Sequence, residues 1–479
     1  MVTRKLCRRL ALLVTPLVTL TLSCALSADV AAAATIRVDG DASGCVTGDQ
    51  GDPYSVVYCN ILDAVRDASA GDTVHVYPLS SGAYEESVDL RQMGTNGGSL
   101  GDITLLTVDD AGNPSPGTAT VDAKGTGPAI WTSYPPTFAG SVTVDGFTVD
   151  STIAHGVYLL VTGDVVVRNV TANPVWGHGI YVTAANDVEI AHSTAASNNV
   201  AATAILVVGV SGNVAITNCT ANHNPGDGIA VVRPAGNITL ANCTTNSNVQ
   251  AGCRVEAPYG DVTIENITAR GNATDGVILQ DLMAGRSFRV NGSILCENSR
   301  AGLTLDTLSN AVVNGEGNWW GCPAGPDGPK PPCNGLGILN AGTVDHIPWV
   351  DTISASAPLA DVIPGVPIPI SFQFADTVRT VFLGQGPGDR HGDPTFIVST
   401  DNGTVTGGGF INQPDGTMEV TLVPEHGRTA TVWMNGPCGL DATVGVGQVE
   451  FVPEPASALL VAGGLMGLAG YAGLRLRRP

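Results

Sequence analysis

From residue 140 onward the chain repeats itself with a period of 23–26 residues. GSVTVDGFTVDSTIAHGVYLL is followed by GDVVVRNVTANPVWGHGIYVT, then NDVEIAHSTAASNNVAATAILVV and GNVAITNCTANHNPGDGIAVV. GNITLANCTTNSNVQAGCRVE and GDVTIENITARGNATDGVILQ continue the series, and RSFRVNGSILCENSRAGLTLD is its last clear copy. A unit this short cannot bury a core alone, whereas stacked copies can, so the repeat predicts a solenoid. Inside each copy apolar residues alternate and then return after a two-residue break. Examples are Val165, Val167 and Val170, then Val214, Ile216 and Cys219, and then Val262, Ile264 and Ile267. Period two means strands. A second short strand follows each Gly-Val or Gly-Ile step, and no copy contains a helical stretch, which excludes leucine-rich and helical repeats. Three short strands per turn describe a parallel β-helix whose coils stack about 4.8 Å apart.

Asn169, Asn218, Asn242, Asn266 and Asn291 are expected at one position of their coils, with His192 replacing asparagine once. Asparagine tolerates the left-handed backbone of a sharp bend, and stacked amides bond from coil to coil. The many N-x-[ST] matches are therefore read as structural rather than as glycan acceptors. Cys219 and Cys243 take the inward slot of Val170 and Ile267, and Cys253 takes that of Ile180 and Ile229. They read as small buried hydrophobes, with stacked disulfides or metal ligation as the alternatives.

The ends differ from the middle. Arg4, Lys5, Arg8 and Arg9 precede an apolar run from Leu10 to Leu26 and small residues through Ala34, which is a secretory signal over 1–34. Lipid attachment at Cys24 is the alternative, but Thr21 stands where leucine is expected. The two end segments hold seven of the 22 basic and one of the 43 acidic residues, so the middle, 35–455, carries 15 basic against 42 acidic. That surface repels nucleic acid and anionic lipid. It suits neutral glycans or cations better than polyuronates. Sixty glycines and 5% aromatics suit short strands with frequent turns. Cys45 with Cys59, and Cys322 with Cys333 around PAGPDGPKPP, read as loop-closing disulfides of an exported protein.

These repeats resemble the right-handed parallel β-helix of the pectin-lyase-like superfamily, and more closely those of carbohydrate-binding surface proteins and sugar hydrolases. The resemblance covers about 35–350. NILDAVRDASAGDTVHVYPLSSGAYEESVDL is similar to the usual start of the family. Ile61, Leu62, Val65 and Ala68 have the spacing of a short helix that caps the open end of the stack, and GDTVHVYP is expected as the first strand. GNWWGCPAGPDGP with VDHIPWV resembles the terminal element of such surface proteins, with Trp319, Trp320 and Trp349 closing the far end or, alternatively, stacking on sugars.

After a linker, 351–365, short β runs over 366–451 such as PISFQF, TFIVST, MEVTLV and TATVWM predict a small β-sandwich. It loosely resembles bacterial Ig-like domains. The fold class is thus all-β: a solenoid, a small sandwich and a C-terminal transmembrane sorting helix. In the tail, 452–479, Ala456–Leu474 is 19 residues without charge. As a helix that run spans about 28 Å, enough to cross a bilayer core. Arg475, Arg477 and Arg478 would then stay cytoplasmic. Pro453-Glu454-Pro455, the apolar helix and the basic end together resemble the PEP-CTERM sorting signal. The resemblance implies an exosortase-type processing enzyme as partner, a transient inner-membrane anchor, and delivery to the cell surface or extracellular matrix.

Chemistry is less marked. The residues before each Gly-Val or Gly-Ile step include His155, His178, Asp227 and Asp275. Asp227 and Asp275, two coils apart, sit roughly 9.6 Å from one another by strand spacing, near the upper limit for an inverting glycosidase pair. Asp-Gly is equally a turn signal. A lyase would use Arg or Lys with Ca²⁺, but the repeats hold no lysine, and Arg233, Arg254 and Arg270 share no position. His155 and His178 should stack, with Tyr158 and Tyr181 in matching outward positions and Trp176 near. This is either a glycan platform or a ladder that only braces the coils. Asp39, Asp41, Asp49 and Asp52 offer a Ca²⁺ site, against the reading of solvated loop acids. The sequence favours a non-catalytic, exported protein touching extracellular polysaccharide. The alternative is a polysaccharide hydrolase, lyase or epimerase on the same scaffold.

Overall fold

The computed structural model describes residues 33–345 apart from 49, 51–52, 96–99, 126, 133–137, 151–152, 173–174, 184–185, 200–201, 323–324, 328–334 and 341. Beyond these it describes 353–357, 367–374, 397–407 without 402, 417–425, 430–435 and 441–446. Residues 1–32 of the signal segment, Cys333, Trp349 and the tail with Pro453, Glu454 and Pro455 lie outside the described residues. Among the described residues no helix is long and apolar enough to cross a membrane.

The repeat folds into a parallel β-solenoid. A 13-stranded sheet runs along one face and a 10-stranded sheet along another, both parallel throughout the repeats. The third face is thinner: a four-stranded and a two-stranded sheet, joined by single bridges Thr194–Thr220, Thr220–Thr244 and Thr244–Thr268. Registers are exact from coil to coil. Val165 pairs with Val188, Val188 with Val214, Val214 with Ile238, and Ile238 with Val262. Every second residue of these strands is buried, and together they form one continuous core. Each buried Val or Ile contributes roughly 1.5–3 kcal/mol, which is why a one-residue slip is not tolerated.

The bend after the 13-stranded sheet is left-handed at Asn169, His192, Asn218, Asn242 and Asn266, with φ of 50–55°. Asn291 departs from expectation. It pairs with Glu265, one position early, and Gly292 takes the bend at φ 62°. Threonines 148, 171, 194, 220, 244 and 268 then stack along the third face. The N-x-T matches at 169, 218, 242 and 266 are therefore two structural columns read together.

A second asparagine column lies deeper and carries more of the fold. Asn198, Asn224, Asn248, Asn272 and Asn298 are at most 4% exposed. The backbone N–H of Asn224 donates to Asn248 Oδ1 at 3.0 Å, that of Asn248 to Asn272 Oδ1 at 2.9 Å, and that of Asn272 to Asn298 Oδ1 at 3.0 Å. The side-chain amides make the same links at 2.9–3.1 Å. Buried amide groups at a turn that no sheet ladder reaches are satisfied by this column. Glycines stack at the turn into the 13-stranded sheet. A Cβ on Gly236 would lie 2.3 Å from the Gly212 carbonyl oxygen, and one on Gly260 equally close to that of Gly236.

The ends are closed. Helix Ile61–Asp67 covers the first coil with Ile61, Ala64 and Val65 buried. Asn60 caps it by accepting from the Asp63 N–H, and Glu86 accepts from Ile61 and Leu62. Strand Thr35–Val38 precedes Thr73–Val76 and pairs with it, so GDTVHVYP is not the first strand; the short TIRV run is. Trp319 and Trp320 are buried at 1% and 0%, so neither is exposed to stack on a sugar. Cys45 and Cys59 form the expected disulfide. Cys322 is disulfide-bonded, and so is Cys296 on the neighbouring coil, a position the sequence reading passed over. Cys219, Cys243 and Cys253 are free and buried.

Past the solenoid, seven strands among the described residues form two antiparallel sheets, one of four and one of three. Ile353–Ser356 pairs with Ser371–Phe374 inside the stretch expected as linker, so this part begins before residue 366. The small residues of ISAS hid that strand.

Candidate functional site

The 10-stranded sheet presents two chemically different halves. In its early coils, strands Ile130–Trp131, Val157–Leu160 and Ile180–Thr183 pair so that Trp131, Tyr158 and Tyr181 are aligned. His155 and His178 precede two of these strands at equivalent positions. The His155 and His178 rings stack with centroids 5.1 Å apart and 10° between planes. Tyr158 lies 5.0 Å from His155, and Tyr181 lies 5.0 Å from Tyr158 and 5.4 Å from His178. Four of the five expected residues are thus brought together. Trp176 does not join the ring stack; it stands 56% exposed in the turn beside His178. Gly177 makes the approach possible, since a Cβ there would meet His155 Nδ1 at 2.7 Å.

Hydrogen bonds fix the imidazole tautomers. The backbone N–H of His178 donates to His155 Nδ1 at 3.0 Å, so that nitrogen carries a lone pair. His178 Nδ1 lies 2.8 Å from the Thr203 carbonyl, which only accepts, so that nitrogen carries the proton and Nε2 the lone pair. Burial, with the neighbouring His178 adding to it, pushes the His155 pKa down to about 4. Burial lowers that of His178 as well, against the pull of the Thr203 carbonyl, and raises the Tyr181 phenol.

Trp131 was not foreseen. Its Nε1 donates to Ser87 Oγ at 2.9 Å, and the Arg91 guanidinium lies 4.8 Å from its ring. Arg91 is itself forked onto Asp89. The signal was present in PAIW, which matches HGVY of the next coil, but Ala129 replaces the glycine that marks the step.

In the later coils the same sheet carries ion pairs. Asp227, 2% exposed, accepts from Arg254 Nε at 2.8 Å and from the Ala251 N–H at 3.0 Å. Arg254 also reaches Glu256 at 3.1 Å. Burial raises the Asp227 pKa in spite of the Arg254 charge. Asp275, fully buried, is forked by Arg300 and accepts from Thr304 Oγ1 at 2.6 Å. Each aspartate of the pair considered for glycoside hydrolysis is therefore clamped by its own arginine. General acid or base work needs a carboxyl in reach of substrate. Arg233 and Arg270 lie elsewhere, Arg233 at a left-handed bend and Arg270 on Glu297 at the third face.

Asp39 accepts from Arg37 at 2.8 Å, and Asp41 accepts from the Ser80 N–H. Asp49 and Asp52 lie outside the described residues. Among the described residues no three His, Cys, Asp or Glu side chains are placed to hold a metal ion.

The family described as a right handed beta helix region matches residues 137–259 and 205–319. No curated protein matches the chain. Among solved structures, pectate lyase Pel9A is similar at 12% identity and a TM-score of 0.35, over 67% of this chain and 80% of that one. A mutant of the periplasmic alginate epimerase AlgG is similar at 13% and 0.32, over 60% and 82%. The A-module of the mannuronan C-5 epimerase AlgE4 of Azotobacter vinelandii is similar at 13% and 0.30, over 65% and 96%. The stacked parallel sheets agree with the family match: the described residues between 138 and 319 form a parallel β-solenoid, and this stretch matches the right handed beta helix region.

Proposed function

We propose that this is an exported, non-catalytic protein of the cell surface or extracellular matrix that contacts polysaccharide through its His–Tyr stack and Trp176. The observation that carries the reading is the ring cluster itself. Four clustered rings and an exposed indole lie together on the early coils of the 10-stranded sheet, a surface that offers apolar contact with polar tips. In the same reading, the tail around Pro453, Glu454 and Pro455 is cut by an exosortase-type enzyme after transient anchoring in the inner membrane, and the two antiparallel sheets are an Ig-like spacer. The Arg254 and Arg300 clamps on Asp227 and Asp275 speak against a hydrolase using that pair. Binding of the full-length protein to a glycan array, run beside assays for reducing-end release and unsaturated products, tests it. Binding that falls in Tyr181→Ala without turnover in the wild type is expected. Turnover that disappears in Asp227→Asn would overturn it.

A further inference from the structure

The uncharged half of the 10-stranded sheet narrows the ligand. Strands Ile130–Trp131, Val157–Leu160, Ile180–Thr183, Ile205–Val208 and Ile229–Val232 contain no charged residue. Cys253–Glu256, Asp275–Gln280 and Ala301–Thr307 all do. The chain as a whole carries a net charge of −21, so a run of five strands without one acid is a property of this face. Two of the guanidiniums that border it are already neutralised. Arg91 is forked by Asp89 at one end, and Arg254 is held by Asp227 and Glu256 at the other. Arg233, exposed at the bend after Ile229–Val232, stands two coils from Tyr181 and three residues past its register position, about 14 Å by strand rise and spacing, so a uronate carboxylate seated on the rings is out of its reach, and burying it unpaired is costly. An uncharged sugar brings only hydroxyls and C–H faces, which match rings and neutral imidazole. The tautomer of His178 adds direction: with Nδ1 committed to the Thr203 carbonyl, Nε2 is a hydrogen-bond acceptor beside Tyr181.

We infer that this face takes a neutral polysaccharide, and that His178 Nε2 accepts a hydrogen bond from one of its hydroxyls. The inference rests on the carbohydrate reading above and specifies its ligand. The Thr203 carbonyl is the positioning group, because it alone decides which ring nitrogen carries the proton.

The test is calorimetric titration of the full-length protein with four probes: dextran, a neutral galactomannan, polygalacturonate and alginate, at moderate salt. At least one neutral glycan is expected to bind and neither polyuronate. His178→Ala should weaken binding about tenfold, the worth of one hydrogen bond. O-methylation of the bound glycan should cost wild type a similar factor and the variant less, which reads the hydroxyl bond itself without relying on the variant's fold. Polyuronates binding as tightly as neutral glycans would overturn the inference and leave the carbohydrate reading standing. No binding to any saccharide would sink both. Equal losses on methylation in wild type and variant would remove His178 from the contact.

Discussion

One sheet braces its coils in two ways. Around Tyr158 and Tyr181, neighbouring coils are linked by stacked neutral rings. Around Asp227 and Asp275 they are linked by carboxylates buried under arginines that start 25–27 residues away in sequence. Both devices fill the outward positions of identical strands. The ring half leaves one imidazole lone pair, His178 Nε2, beside Tyr181. The ionic half commits its oxygen atoms to guanidinium, backbone and hydroxyl partners. A solenoid can therefore assign recognition to one stretch and cohesion to another without changing its backbone.

Perturbing the inner asparagine column should give the largest effect. Asn248→Ala strands the Asn224 N–H and the Ala221 carbonyl in the core, so it should cost about 4 kcal/mol, read as a lowered denaturant midpoint. Asp275→Ala breaks a buried pair, but Arg300 is 53% exposed and can turn to water, so about 3 kcal/mol is expected with glycan binding unchanged. Tyr181→Ala should do the reverse, costing about 2 kcal/mol of stability and most of the binding. A binding loss in Asp275→Ala equal to that in Tyr181→Ala would erase the distinction between the halves.

The smallest effect is one of acidity. Folded His155 stays neutral down to about 4, whereas the unfolded chain takes up its proton near 6.5. Between those values the unfolded state binds more protons, so stability falls as pH drops through that window and is retained above it. Discounted for partial exposure, the loss should be roughly 1–2 kcal/mol. Asp227 runs the other way, since its raised pKa favours the folded state as pH approaches the carboxylate range. Denaturant midpoints at neutral and acid pH, compared between wild type and His155→Gln, separate the two.

Much of the solenoid was legible because burial imposes alternation: Val214 and Ile216 point inward wherever the coil begins. The cap helix, the Cys45–Cys59 bond and the His–Tyr stack followed from spacing in the same way. The inner asparagine column was not legible. Asn224 and Asn248 occur in NHNPGD and NSNVQA, which look like ordinary polar turns, and nothing local says that those amides are dry. Nor do the arginine clamps announce themselves, since Arg300 meets Asp275 only after a full coil has returned the chain. Asn291 misled because a glycine beside it can make the same bend.

The inner column repeats at 24 residues from Asn224 to Asn248 and again to Asn272. Removing one such length, from 225 to 248, would put Asn224 directly before Val249, in the place that Asn248 now holds. Such an edit would shorten the rod by about 4.8 Å and keep the inward alternation in step, at the cost of the Asp227 carboxylate that holds Arg254. The reach of this protein is thus a counted quantity. Gene duplication or loss could lengthen or shorten the distance between the ring-bearing end and the ion-paired end in whole steps, with no intermediate sizes to pass through.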